Sequence, residues 1–496
     1  MYNFHPWYFQ EGIPKLYSEY ETLIPGNFVY HIKLSGGRDF TKHESNIERG
    51  CIYVNGIGNG DCTHDIYIMK DIPAFKEEDY MTSADNFKFR LDFELKEYQR
   101  FRRTVEKYTK TWKDVDKELK NEESLGVQSK KDNYFRKQLP PYLFEIENNV
   151  DRAKTIYSYL KEHLYWNEKY DLFGKKDVKE AFEKKTGSIA ELNLILLNAL
   201  KAANLEAEIL LLSTRQNGIP TKLYPVLSDF NYLVVKLNIE GSVYLLDISE
   251  KELNFGLLPF RCLNGEERVF NFEDPSYWYP IIPVKNSMRS FQTQIRLDST
   301  AAITGKSREI KNGYEAYFHR KQFANSSLED YRENIENNLL INKDILIGEV
   351  AVQNLKDYDN PIVTTTDFNI ESPLSADVLF VYPFIFNQFK RNPFSLAERN
   401  YPIDFGYPFS ITNQVIIEIP EGFEFTDIPD SQQIKDENNQ FELYFVTQKT
   451  ANKLSLIIRL KLLNTIYIPA YYQLIKDLFK EFIRIQNKSP LAISKK

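Results

Sequence analysis

The chain has 496 residues, room for about three domains, and a net charge of −7 from 63 Lys and Arg against 70 Asp and Glu. Its basic runs, such as Gln99 to Lys120, are interleaved with Asp and Glu, which excludes a nucleic-acid-binding stripe. No apolar run is long enough for a spanning helix, and an aromatic content of 14% favours β-rich structure, because rings fit pleated, half-buried faces.

Residues 1 to 95 read as a β domain. Trp7-Tyr8-Phe9, Tyr17 to Tyr20, Asn27 to Leu34 and Asp65 to Met69 alternate or run apolar between turn residues. Met1 to Trp7 lacks the basic start and apolar core of a secretory signal. Cys51 and Cys62 flank the turn Asn55 to Gly60. Two buried thiols are the first reading and a disulfide, which would suit export, is the alternative. Cys62-Thr63-His64 offers two metal ligands with nothing to complete the set, so it reads as a strand end.

Residues 96 to 141 form a charged connector. Trp112, Val115 and Leu119 share one helical side, Ser129 to Asn133 reads as a flexible loop, and Pro140-Pro141 marks a boundary. The central domain spans 142 to 285. Val150, Ala153, Ile156, Tyr157, Leu160 and Leu164 make a helical core stripe leading to Trp166, which either packs in the core or lines a cleft. Asp177 starts a second helix, with Glu180 placed for a capping box and Phe182 facing inward.

The segment Gly187 to Asp247 organises the rest. Ser188 and Glu191 form a capping box ahead of an almost wholly apolar run, Ile189 to Leu200, which predicts a buried helix. Asn204 is a left-handed stop and Leu205 to Leu212 a strand. Two strands follow, Phe230 to Ile239 and Ser242 to Ser249, joined by the turn Glu240-Gly241. That register sets Asp247 opposite Val234 and Tyr232 opposite Ser249, so Tyr232 and Asp247 lie diagonally on one face. Pro275, Pro280 and Pro283 form the exit linker. From 286 to 496 the chain reads as a β-rich domain with appended helices. Helices are expected at Gly313 to Phe323, Ser327 to Leu340 and Tyr471 to Ile485. Strands are expected at 345–352, 362–370, 377–384, 411–419, 441–446, 454–463 and 491–494. Asp357, Asp359 and Asn360 read as a polar turn, without the Gly and distal Glu of a calcium loop.

Gly187-Ser188-Ile189-Ala190-Glu191, Phe230-Asn231-Tyr232 and Leu246-Asp247-Ile248-Ser249 resemble, in order and spacing, the transglutaminase-like fold shared with papain-like thiol enzymes. In that family G-x-C-x-E/D opens the buried helix, a His follows on one strand, often as F-N-H, and an Asp on the next. The resemblance assigns the nucleophile slot to Ile189, the base slot to Tyr232 and the orienting acid to Asp247. A Cys at a helix N-terminus is favoured as thiolate, a neighbouring His stabilises it and shuttles the proton, and the Asp orients that His. Isoleucine carries no nucleophile, tyrosine is a poor base at neutral pH, and no His lies between His163 and His319. Ser188 has no His partner and serves better as a cap.

Segments flanking this domain resemble a group of exported bacterial proteins. They include Phe9 to Pro14, Asp71 to Glu78, Phe255 to Gly265, Asn392 to Phe394 and Tyr401 to Phe405. The resemblance implies an α+β chain, with a transglutaminase-like central domain between two β-sandwich-like domains, the first lacking its opening strands. It implies a catalytically inactive binding or scaffold component of the cell envelope or periplasm, with no cofactor or metal. The partner would be a protein or peptide, or a glycan held on aromatic platforms. The cleft-lining residues would be Trp166, Ser188, Asn231, Tyr232 and Asp247. The alternative is a peptidase or amidase working through another constellation, at a polar pocket away from Ile189.

Overall fold

The computed structural model describes every residue except 1–3, 101–103, 109, 284, 301, 340–344, 371–377, 387–388 and 489. The sequence expectations at Met1 to Asn3, Leu340 and Asp377 lie outside the described residues. The chain forms two compact units, neither contiguous: Met1–Ser249 with Arg261–Ile281, and Glu250–Phe260 with Ile282–Lys496.

The first unit opens with two small antiparallel sheets. One orders Trp7–Tyr8, Arg90–Gln99 and Phe28–Ser35, and the other Lys15–Pro25, Gly58–Ile72 and Lys42–Val54. Alternation puts Leu91, Phe93 and Leu95 on the buried side of one, and Tyr67 and Met69 on that of the other. Phe93 meets Tyr20 and Tyr67 at ring-centroid distances of 5.9 and 6.3 Å. The strand Arg90–Gln99 runs across residue 95, the expected end of the first β domain.

Cys51 and Cys62 are joined as a disulfide, Cα–Cα 5.9 Å, in place of the two free buried thiols expected first. Pairing slips between Glu48 and Ile52, and the bulge re-aims Cys51 toward Cys62. Alkylation in denaturant without reductant is expected to label one thiol, that of buried Cys262, and to label three after reduction. A Cys51→Ser change is expected to cost about 2–3 kcal/mol in urea unfolding.

The connector holds the helix Trp112–Asn121, opened by a Thr111/Asp114 capping box and burying Val115 and Leu119. The expected loop at Ser129 to Asn133 is instead a short turn, Gln128–Lys130, and the helix Asp132–Gln138. Tertiary bonds override the polar composition there. The Asn198 Nδ2 donates to the Gln128 carbonyl at 2.8 Å, and the Lys131 N–H donates to Asn198 Oδ1 at 2.6 Å.

The centre of this unit is a five-stranded antiparallel sheet. Its order is Ser242–Leu246, Tyr232–Ile239, Glu206–Leu212, Glu266–Phe270 and Tyr277–Pro280. The last strand occupies the expected Pro275–Pro283 linker, and Pro280 is tolerated because the strand is at an edge. The helix Ile189–Ala202 packs on the sheet, and its residues from Ile189 to Leu200 are buried except Glu191. Its two asparagines are fully buried and hydrogen-bonded: the Asn193 Nδ2 donates to the Leu233 carbonyl at 2.8 Å, and Asn198 is accounted for above.

The second unit is built on one eight-stranded mixed sheet. Its order is Ile345–Gln353, Ile362–Ile370, Ile303–Lys311, Ser287–Leu297, Phe409–Glu418, Lys453–Leu462, Phe441–Lys449 and Gln432–Lys435. Ser287–Leu297 pairs in parallel with Phe409–Glu418. The core on one face takes Ile475, Leu478, Phe479, Phe482 and Ile485 from the helix Tyr472–Lys488, with Phe425 and Ile493 from a three-stranded sheet. The second layer of this unit is thus helix as much as strand. The polar turn at Asp357 to Asn360 is held by buried Arg320, which donates to the carbonyls of Asp357 and Asn360 at 2.6 and 2.7 Å.

Candidate functional site

The turn Glu240-Gly241 has positive φ at both residues, 52° and 81°, as a two-residue hairpin requires. The ladder from Ile239↔Ser242 to Val235↔Leu246 keeps the predicted register. It stops at Leu246 and not at Ser249, because the Ile248 N–H turns to Asn193 Oδ1 at 3.1 Å. The chain thereby leaves the sheet at Asp247 and carries its side chain to Tyr232.

Four side chains converge there. Tyr232 donates its hydroxyl to Asp247 Oδ2 at 2.7 Å and lies 3.1 Å from Ser249 Oγ. The Ser249 N–H donates to Asp247 Oδ1 at 2.6 Å. Arg261 Nη2 donates to the Tyr232 oxygen at 2.7 Å and to Ser249 Oγ at 3.2 Å. Tyr157 donates to the Asp247 carbonyl at 3.0 Å. Tyr232 and Asp247 are fully buried.

Burial pushes the Asp247 carboxyl up, while Arg261 and the Ser249 and Tyr232 hydrogen bonds oppose it. Burial, and next the Asp247 charge, push the Tyr232 phenol well above its ordinary value, against the pull of Arg261. At neutral pH Tyr232 is therefore a neutral donor and not a proton acceptor. The guanidinium lies 5.1 Å from the Trp166 ring centre and 5.2 Å from that of Tyr232, a cation–π arrangement on both sides.

The N-terminus of the buried helix is closed as well. The Ser188 N–H and Oγ both donate to Glu191 Oε2, at 2.8 and 2.9 Å, so the hydroxyl is used in the cap. The Ile189 N–H donates to the Lys169 carbonyl at 3.1 Å. That carbonyl also accepts from Trp166 Nε1 at 2.9 Å. Ile189 is fully buried. Tyr170 meets Tyr232 edge to face at 5.6 Å. The segment Trp166–Tyr170 is thus tied to the helix N-terminus through Lys169 and to Tyr232 through Tyr170.

Of the residues singled out from sequence, Tyr232 and Asp247 are in direct contact, and Trp166 reaches Tyr232 through Arg261. Ile189 is bonded to the Trp166–Tyr170 segment through the Lys169 carbonyl, and Ser188 is held by Glu191. Asn231 is not brought to the carboxylate: it bonds the Thr214 N–H and hydroxyl, at 2.9 and 3.0 Å. Sequence reasoning set Ser249 opposite Tyr232, and the two are in contact; it missed Arg261 and Asn193. Arg261 was visible as the one charge in the apolar run Leu257 to Leu263. Among the described residues no group of three or more His, Cys, Asp or Glu is placed to hold a metal ion.

Residues 377–491 match the family model DUF3858, described as a domain of unknown function with a solved structure. A crystal structure from Parabacteroides distasonis, described as a "putative protease", is similar over 99% of this chain and 74% of that one. The TM-score is 0.52 and the identity 12%. At that identity the likeness shows a shared α+β fold. No curated protein sequence matches the chain.

Proposed function

We propose that the chain is a non-catalytic member of the transglutaminase-like fold, serving as a binding or scaffold component of the bacterial envelope. The observation that carries this reading is the Tyr232–Asp247–Arg261–Ser249 network. A phenol that donates to a buried carboxylate, and whose proton is held by burial, cannot act as a general base. Ile189 brings no nucleophile, and its N–H is already bonded, so it does not stand ready for an oxyanion. Arg261 supplies the positive charge that a protonated histidine would otherwise give Asp247. The Cys51–Cys62 disulfide supports an oxidising compartment.

The alternative, a peptidase or amidase working elsewhere, needs a nucleophile beside a base. A polar pocket in the second unit contains His319 but has no Ser, Thr or Cys in its lining. The protein is expected to hydrolyse no peptide pool, and to incorporate no labelled amine into casein, above the buffer rate. Turnover above the buffer rate that stays with the purified parent chain would overturn the proposal.

A further inference from the structure

The sheet of the second unit changes character along one face. Ile295, Leu297, Ile303 and Phe368 belong to its apolar core. Moving along the same face, alternation gives Thr293 beside Ser307, hydroxyls 3.0 Å apart, with Thr366 next to them. Then come the cross-strand pairs Phe291↔Glu309 and Arg289↔Lys311. Two cations directly opposite one another destabilise a sheet. Glu309 joins them, accepting from Arg289 Nε and Lys311 Nζ at 2.6 Å each.

Two helices lie over this polar end. Gly313–Phe323 turns Glu315, Phe318, His319, Gln322 and Phe323 toward it, and Leu328–Asn338 turns Tyr331, Asn334, Ile335 and Asn338. These are the i, i+3, i+4, i+7 stripes that a helix normally fills with apolar residues when it packs on a sheet. Here the stripes are largely polar, and between them and the sheet is a cavity of about 410 Å³, within the range of small-ligand sites.

The composition of that cavity selects its ligand. The formal charges of Arg289 and Lys311 are matched by Glu309 and Glu315, so a free anion or cation gains no net attraction. Donors (Arg289, Lys311), acceptors (Glu309, Glu315) and side-chain amides (Gln322, Asn334, Asn338) are densely interspersed, with Phe291, Phe318 and Phe386 in the same lining. A molecule whose every polar group both donates and accepts, and whose carbon-bound hydrogens can pack on rings, is matched to a lining of that mixed character.

We propose that this cavity is a binding site for a neutral mono- or disaccharide. It is separate from the Asp247 network and does not depend on that network's being inactive. The buried charges support the site's order before any ligand arrives. Arg289 and Lys311 hold the Glu309 carboxyl down at about 2 against burial. Burial, then Lys311, hold His319 down at about 3, so it is neutral and bonded to Tyr331.

The test is titration calorimetry of the full chain with glucose, galactose, mannose, N-acetylglucosamine and cellobiose, beside inorganic phosphate and glycine as charged controls. At least one sugar is expected to bind, with both controls silent. The double variant Gln322→Ala, Asn334→Ala is expected to weaken binding about tenfold or more, without changing thermal stability, since Gln322 is exposed and Asn334 only half-buried. Glu309→Gln is expected to abolish binding; should it unfold, the double variant still decides. No binding by any sugar, binding indifferent to the double variant, or tighter binding of phosphate or glycine would each overturn the proposal.

Discussion

Replacing Asp247 with alanine is expected to destabilise the first unit by about 3–5 kcal/mol. The change leaves the Arg261 guanidinium and the Tyr232 hydroxyl facing each other without the carboxylate that accepts from the phenol. Tyr232→Phe removes one hydroxyl and leaves Asp247 short of a partner in a fully buried place, for an expected cost of about 1–3 kcal/mol. The two changes share one network, so the double variant is expected to cost less than their sum. The readout is simple, because all four tryptophans, Trp7, Trp112, Trp166 and Trp278, lie in the first unit. Tryptophan fluorescence during urea unfolding follows that unit alone. An Asp247→Ala midpoint within about 0.5 kcal/mol of the parent would show that the network holds nothing together.

Acid is expected to weaken the second unit well before it weakens the first. Glu309 is held down at about 2 by Arg289 and Lys311, so its contribution is complete above the unfolded carboxylate value and is lost as pH falls toward 2. His319 is held down at about 3, chiefly by burial, so the unfolded chain takes up its proton first as pH drops below about 6.5. Both act in one direction. Stability should fall steadily between pH 6.5 and 2, by several kcal/mol in all, at about 1.4 kcal/mol per pH unit of separation. In the first unit Asp247 is pushed up, which has the opposite sign: its folded form protonates before the unfolded one does. Hydrogen exchange resolved by peptide, at pH 7 and pH 4, separates the two. His319→Gln should flatten the fall in the second unit, and an unchanged slope would count against this account.

Much of the central region was legible because local chemistry and tertiary demand agree. The Ser188/Glu191 box, the left-handed Asn204, and the Glu240-Gly241 turn with its register are all set by residues within a few positions of one another. What failed to show was decided at long range. Ser129 reads as loop from its neighbours, yet it is buried because Asn198, about 70 positions on, bonds the backbone on either side of it. The strand to Ser249 is cut at Leu246 by Asn193, an asparagine hidden in an apolar run. Arg261 has no periodic pattern to mark it, and its importance comes from where the chain returns after residue 260. The charged cavity of the second unit was missed because strand residues 287–297 and 303–311 had not been read as strands, so Arg289 and Lys311 were never set opposite one another.

The chain visits the second unit twice. Residues 250–260 belong to it, and the chain then returns for Arg261–Ile281 before leaving for good. That first visit is anchored on the helix Gly313–Phe323: Tyr314 donates to the Leu258 carbonyl at 2.9 Å, Tyr317 to Glu250, and Arg320 to Asn254 Oδ1 at 3.2 Å. Ser249 and Arg261, 3.2 Å apart, close the excursion at its base. A fragment ending near Ile281 would keep these eleven residues but lose the helix that binds them. A fragment starting at Ile282 would keep the helix and lose its partners. On the ribosome the excursion emerges before the helix exists, so this part of the second unit must wait, unfinished, for chain not yet made. Gene dissection at the apparent boundary should therefore yield two damaged pieces.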